Sequence, residues 1–397
     1  MEKNQYRKEP LKDNVEEMFI GPFGSSLKNE CFVDERNAYC MVYEQKHAIQ
    51  KTLAGKNRFV DRNKYQELKR FTVKPGDIIV SCRGTIGETF IIPENAPLGI
   101  MHPSIMKIRL KPNVYNIEYF NLLLKSRLEA YNKSANGSGV KMAISATELG
   151  KDLFPIPPMD EQQKISRIFF MVEHLILLRK QQLAKMDELV KAWFVEMFGT
   201  FPANPFRWDT GKIQDVVSDV RYGSSRPAVE DGKYPYLRMN NITYSGELDL
   251  RDTKRIDIPD SELDKCTVRR GDVLFNRTNS KELVGKTCVY NRDELMVLAG
   301  FVIRVRVNER IRSDVLSAFL NMDFSKRMLI GMCKTAIGQA NINAKELQNI
   351  DLYIPPIELQ DQFVALKNKI DQQKQTVQQS LEKLELLKKA LMQEYFG

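Results

Sequence analysis

Apolar residues recur at three- and four-residue steps through two stretches of this chain. The first carries Ile165, Ile168, Val172, Leu175, Leu183, Met186 and Trp193, and the second Phe363, Leu366, Ile370, Val377, Leu381, Leu384 and Leu391. That spacing lays one apolar stripe along an α-helix. Pro157-Pro158 and Pro355-Pro356 stand before the two stretches and Gly199 follows the first, fitting start and stop signals. At 1.5 Å per residue, a helix of about 40 residues is a rod of roughly 60 Å. A rod with one apolar stripe needs a partner, and its twin in the same chain is the nearest. The expectation is an antiparallel intramolecular coiled coil with a pseudo-two-fold axis. The alternative is that each helix packs on its own globular unit. In the second stretch "QQKQTVQQ" (372–379) leaves only Val377 on the seam, so packing is expected to be weakest there.

Outside these stretches the pattern shortens to that of an α+β unit with many short strands. Gly76-Asp77 and Gly271-Asp272 sit in turns that open the apolar strands of "DIIVSCRG" and "DVLFNRTN". Later in each unit a short helix is predicted, over "YNIEYFNLLLKSRLEAY" and "SDVLSAFLNMDFSKRML".

These features come in pairs because the chain is an internal duplication. From 157 to 199 it matches 355 to 397 at one offset of 198 residues without a gap, through Gln162 and Gln360, Leu183 and Leu381, Lys191-Ala192 and Lys389-Ala390, and Phe198-Gly199 and Phe396-Gly397. Upstream, "LKRFTVKPGDIIV" (68–80) matches "LDKCTVRRGDVLF" (263–275), and "AISATEL" (143–149) matches "NINAKEL" (341–347). "GSS" recurs at 24–26 and 223–225. The order is unit, helix, unit, helix, with boundaries expected at 1–155, 156–200, 201–353 and 354–397.

The chain's 397 residues suit two or three domains. No apolar run approaches the span of a bilayer and the opening residues are polar, so a membrane is not expected and the cytoplasm is the default setting. Six scattered cysteines and three histidines suit neither a zinc site nor a disulfide framework. Residues 157–199 hold six basic and six acidic side chains, and so do residues 355–397. The whole net charge of +9 therefore belongs to the two globular units, where a polyanion would bind.

Catalytic constellations are not found in the sequence. GxGxxG after a strand, GxxxxGK[ST], HExxH and the [DN]PP[YF] of adenine methyltransferases are all missing. "PDSELDK" (259–265) offers carboxylates and a lysine, but reads better as a polar turn. Binding chemistry remains. "GPFGSSLK" presents Gly24, Ser25, Ser26 and Lys28, and "YGSSRP" presents Tyr222, Ser224, Ser225 and Arg226, in loops that let N–H groups and hydroxyls approach phosphate. "CRGT" carries Arg83 and Thr85, and "NRTN" carries Asn276, Arg277 and Thr278, side chains of the kind that read base edges. "YEQKH" adds Tyr43, Gln45 and Lys46, and "RMNN" adds Arg238, Asn240 and Asn241. Lys141 and Lys281 complete the candidate set.

A variable α/β unit, then "PIPPMDEQQKI" leading a long helix, then "YIPPIELQDQF" leading another, resembles the specificity (S) subunit of type I restriction-modification systems. The resemblance covers essentially the whole chain. The second signature departs from the first at Leu359, which stands where the first has Glu161. The resemblance implies two target recognition domains, each reading one half of a bipartite, asymmetric sequence in double-stranded DNA. It implies that the two helices set the spacer between the halves. It further implies docking of two methyltransferase (M) subunits, which carry S-adenosylmethionine, and of restriction/translocase (R) subunits. No cofactor, metal or catalysis is expected in this chain itself. The competing expectations are a coiled-coil scaffold with protein-binding globular ends, or an enzyme with its own nuclease activity.

Overall fold

The computed structural model describes residues 6–136, 145–280, 283–333 and 340–397. Two unbroken helices of 40 residues dominate it, Met159–Phe198 and Ile357–Phe396. Pro158 and Pro356 lead them in, and each proline carbonyl accepts the first helical N–H bonds, from Glu161 and Gln162 and from Leu359 and Gln360. The chain divides into two compact units: Met1–Leu177 with Glu382–Gly397, and Leu178–Leu381. Each unit therefore takes a part of both long helices.

In the first unit, the four-stranded sheet is antiparallel and runs Val15–Ile20, Ile105–Leu110, Ile78–Ser81, Thr89–Ile91. A second sheet runs Arg58–Val60, Cys40–Tyr43, Gly99–Met101, Thr72–Val73, with a parallel pair in its middle. The helix Ile117–Asn136 packs Phe120, Leu123 and Leu124 on Ile78, Val80, Met106 and Ile108 of the first sheet. Ile165, Phe169 and Phe396 of the long helices close that core.

In the second unit, the order repeats as Val217–Tyr222, Val302–Val307, Val273–Asn276, Thr287–Val289. Lys254–Ile256, Tyr234–Leu237 and Val297–Leu298 form the second sheet, again with a parallel pair. Here an isolated bridge from Thr267 to Val297 stands where the first unit has a strand. The one predicted helix over 313–329 is instead two, Ser313–Asn321 and Asp323–Met332. Met322 breaks them with an extended backbone (ψ 148°), with no proline or glycine to announce it.

The Gly-Asp turns have a common construction. Gly76 and Gly271 hold φ of +80° and +91°, a region glycine enters without strain. Asp77 then accepts both arms of the Arg109 guanidinium at 2.7 and 2.8 Å and the Lys74 N–H at 2.7 Å. Asp272 does the same with Arg306, at 2.9 and 3.4 Å, and the Arg269 N–H. Each unit also buries one cation on the central strand. Lys107 meets Glu17 and donates to the Thr72 carbonyl, while Arg304 meets Asp219 and donates to the Thr267 carbonyl. Such buried charges need these partners to offset desolvation.

Within each unit the two long helices run antiparallel. In the first, Glu173 pairs with Lys388 at 2.7 Å and the Phe169 ring lies 5.8 Å from that of Phe396. In the second, Asp187 accepts from Lys374, and Phe194 and Phe198 pack on Phe363 at 5.6 and 5.3 Å. The polar "QQKQTVQQ" stretch buries Val377, and its Lys374 also meets Glu247. Both packing expectations are thus met together: each core receives the opening turns of its own helix and the closing turns of the other. The seam differs from the expected one at Leu175, which is 43% exposed, whereas Phe169 and Phe194 are buried.

Leu359 has a physical counterpart. In the first unit Glu161 accepts a hydrogen bond from the Tyr6 hydroxyl, which pushes that phenol up to about 12. By the register of the strand pairs at Lys8–Pro10 and Asp209–Lys212, the second unit has Trp208 and Leu359 at the corresponding positions, so the hydroxyl and the carboxylate are lost together.

Candidate nucleic-acid interface

Three loops leave the same end of the antiparallel sheet in each unit, and backbone bonds tie them to one another. In the first unit the Gly21 N–H donates to the Ile105 carbonyl at 2.9 Å, and the Cys82 N–H to the Ser104 carbonyl at 2.9 Å. In the second the Gly223 N–H donates to Val302 at 3.3 Å, and the Arg277 N–H to Phe301 at 3.0 Å. Neither glycine tolerates a side chain. A first side-chain carbon would fall 2.2 Å from the His102 carbonyl oxygen at Gly21, and 2.2 Å from that of Leu298 at Gly223. The parallel-pair strand adds a fourth edge, since Tyr43 accepts the His102 N–H and Leu237 the Ala299 N–H.

The matching glycines correct the alignment of "GSS". Gly21, not Gly24, occupies the place of Gly223, so the two GSS triplets stand at different positions. Arg83 and Arg277 are likewise not equivalent, because the backbone partner of Arg277 corresponds to that of Cys82.

Of the first unit's candidates, Gly24, Ser25, Lys28, Arg83 and Thr85 are exposed and Ser26, Gln45 and Lys46 half-buried. Arg83 has no ion pair or hydrogen bond among the described residues. Lys46 is occupied by the Lys56 carbonyl at 2.6 Å and Glu44 at 3.0 Å. Tyr43 is a correction: it is buried, and its hydroxyl donates to the Pro97 carbonyl at 2.6 Å, so it supports the fold and presents nothing to a ligand. Lys141 lies outside the described residues.

In the second unit Tyr222, Ser225, Arg226 and Asn240 are exposed. Arg226 pairs with Glu262 at 2.8 Å, and half-buried Arg238 with Asp252 at 3.0 Å. Half-buried Thr278 bonds Asn341 at 3.2 Å. The Arg277 guanidinium lies 4.8 Å over the Tyr222 ring. Ser224, Asn241 and Asn276 are corrections, for all three are buried. Ser224 and Asn241 brace their loops, through the Arg226 N–H at 3.2 Å and the Arg238 N–H at 2.9 Å. Lys281 lies outside the described residues.

Three residues escaped sequence reasoning. Phe23 is 86% exposed on its glycine-flanked loop and Phe301 is 54% exposed on the turn beside Arg277. His102 is half-buried in the first unit's loop before Ile105–Leu110, and burial pulls its pKa down. Glu44 opposes that shift, while Arg58 and Arg83 add to it. The signal for Phe23 was its setting, an aromatic ring between Gly21-Pro22 and Gly24 with nothing nearby to pack on. Phe301 and His102 carry no such mark. Among the described residues no His, Cys, Asp or Glu group is gathered to hold a metal, and no helix is long and apolar enough to cross a membrane.

Comparison with known proteins adds a family. Residues 33–188 and 205–386 each match the family model described as the type I restriction modification DNA specificity domain. A putative type I restriction enzyme MjaX specificity subunit from Methanocaldococcus jannaschii is 26% identical over 196 residues, 48% of this chain and 46% of that protein. The EcoKI specificity subunit of Escherichia coli K12 is 21% identical over 334 residues, 77% of this chain and 69% of that one. The match thus spans about half the length of the first relative. Two solved structures share the fold over nearly their whole length. One comes from work on complex assembly and conformational transition of a type I R-M system (TM-score 0.58, 17% identity, 98% of this chain, 97% of that one). The other is the S subunit from M. genitalium (TM-score 0.55, 14% identity, 99% and 97%).

Proposed function

Because the chain belongs to the type I restriction modification DNA specificity family, we propose that it is the non-catalytic, DNA-reading subunit of such a complex. Each unit reads one half of a bipartite, asymmetric duplex target through its three-loop surface. The observation that carries this reading is the repetition of that surface at the same end of the same sheet, in units that hold all of the chain's net positive charge. Phosphate contacts from the exposed loop cations supply affinity, and side chains reaching base edges supply sequence. We place the recognition domains at 1–155 and 201–353, and the spacer helices at 156–200 and 354–397. The helices and their flanking faces dock two methyltransferase subunits, which supply S-adenosylmethionine and the catalysis, and restriction/translocase subunits join them. The length of the helices sets the spacer between the two half-sites, because two rigidly joined readers bind as one bivalent ligand.

Adenine-methylation mapping of host DNA with and without the gene tests this. A bipartite motif that disappears on deletion is the expected result. An unchanged methylome, with no sequence-specific retention of DNA by the purified complex, would favour a protein-binding scaffold.

A further inference from the structure

We infer that Arg277 reads a guanine in the half-site of the second unit, and that Tyr222 is the positioning residue that holds it ready. The inference rests on the DNA-reading function proposed above and names the base chemistry of one contact within it.

Arg277 stands apart from the other arginines around it. Arg226 is neutralised by Glu262, Arg238 by Asp252 and Arg221 by Asp219. Arg277 faces no carboxylate among the described residues, and its guanidinium carbon lies over the Tyr222 ring, 4.8 Å from the centroid. Its backbone is held from both sides, since its N–H donates to Phe301 at 3.0 Å and its carbonyl accepts from Ile342 at 2.9 Å. The ring beneath is itself fixed, because the Tyr222 hydroxyl accepts the Ala344 N–H at 2.8 Å. Nε of Arg277 is enclosed without a partner, which leaves the terminal amino groups as the accessible end. A guanidinium that is planar, uncompensated and immobilised from beneath has lost its rotamer freedom before binding. Guanine's O6 and N7 form the major-groove acceptor pair that the two terminal amino groups fit; adenine, with a donor beside N7, does not. Among the described residues Arg83 in the first unit has no such ring beneath it, so the pre-set contact belongs to the second half-site.

The test uses the assembled complex and duplexes carrying its mapped target. Replacing each guanine of the target in turn by 7-deazaguanine removes N7 alone. Wild-type binding is expected to fall on the order of tenfold or more at one guanine of one half-site. Inosine at that place, which keeps N7 and O6, is expected to leave binding intact. Arg277→Ala is expected to abolish the difference between guanine and 7-deazaguanine there, and Arg277→Lys to reduce it, while the other half-site keeps its preferences. Tyr222→Leu is expected to reduce that difference, and Tyr222→Phe, which keeps the ring, to restore most of it. A wild-type complex indifferent to 7-deazaguanine at every guanine overturns the inference without any variant having to fold. So does an Arg277→Ala complex that still discriminates. A wild-type chain that directs no methylation motif at all overturns the DNA-reading function itself, and the inference with it.

Discussion

Gln162 and Gln360 make the same three hydrogen bonds in their two units. Gln162 accepts the Asn116 N–H at 2.8 Å and donates to the carbonyls of Val114 and Pro157. Gln360 accepts the Arg312 N–H at 2.8 Å and donates to Arg310 and Pro355. Both side chains are almost wholly enclosed. The glutamine of the repeated phrase is thus a rivet between the start of a long helix and the loop that precedes the packed helix of its own unit. Replacing either by leucine strands three backbone groups, one buried and two partly buried, at a cost of about 2–4 kcal/mol. Chemical denaturation of Gln162→Leu and Gln360→Leu should show losses of similar size.

Phe396 should matter as much as a core residue of the first unit. Its ring meets Tyr119 at 5.6 Å and Phe169 at 5.8 Å, and it is buried. Phe396→Ala is expected to destabilise the protein by about 3–5 kcal/mol. Hydrogen exchange should localise the loss to residues 117–131 and to the first turns of the Met159–Phe198 helix. Loss of protection confined to residues 382–396 would contradict this packing.

Lys326 predicts a pH dependence. Burial, with Lys191 and Lys286 nearby, pushes its pKa down to about 7 from the ordinary 10.5. The ammonium's only polar partner among the described residues is the Gly285 carbonyl at 2.5 Å. Between those two pH values the unfolded chain binds the extra proton, so this residue's contribution to stability rises with pH across the window and is least favourable below 7. Lys326→Met should therefore stabilise the protein at pH 6, by about 1–3 kcal/mol after the lost hydrogen bond is counted. That advantage should shrink towards pH 9. Melting curves at the two pH values check the sign, and an advantage that grows with pH would refute it.

Removing one turn from each long helix, at equivalent positions, should change the accepted spacer or abolish methylation while leaving both half-sites as they were. Methylome mapping reads both quantities at once. An unaltered spacer would end the proposed role of the helices as a measure of separation. Arg83→Ala, by contrast, should weaken or relax only the half-site read by the first unit.

The sequence made the long helices, the Gly-Asp turns and the duplicated order legible because each depends on local chemistry. A positive φ asks for Gly76 and Gly271, and an apolar stripe asks for a helix. What escaped depended on tertiary contact. The two GSS triplets looked equivalent because three small residues match by chance more easily than a pleated strand slips. Only the close approach of Gly21 and Gly223 to neighbouring carbonyls revealed the true register. Tyr43 and Asn276 look like loop-tip polar residues, yet they end strands that are buried on both faces. The Tyr222–Arg277 stack joins residues 55 positions apart, and no local pattern announces it.

The Ser126 hydroxyl bonds the Phe396 carbonyl across 270 residues of sequence. On a ribosome that adds about 5–20 residues each second, the first unit waits roughly 15–55 s for the residue that completes its core. Through that interval Tyr119 and Phe169 lack their cover, and chaperones or rapid downstream synthesis would keep the nascent chain soluble. A message cut short anywhere in the last helix would therefore yield a chain flawed in its earliest-made part. Quality control that senses exposed core would remove such truncated readers before they reached DNA.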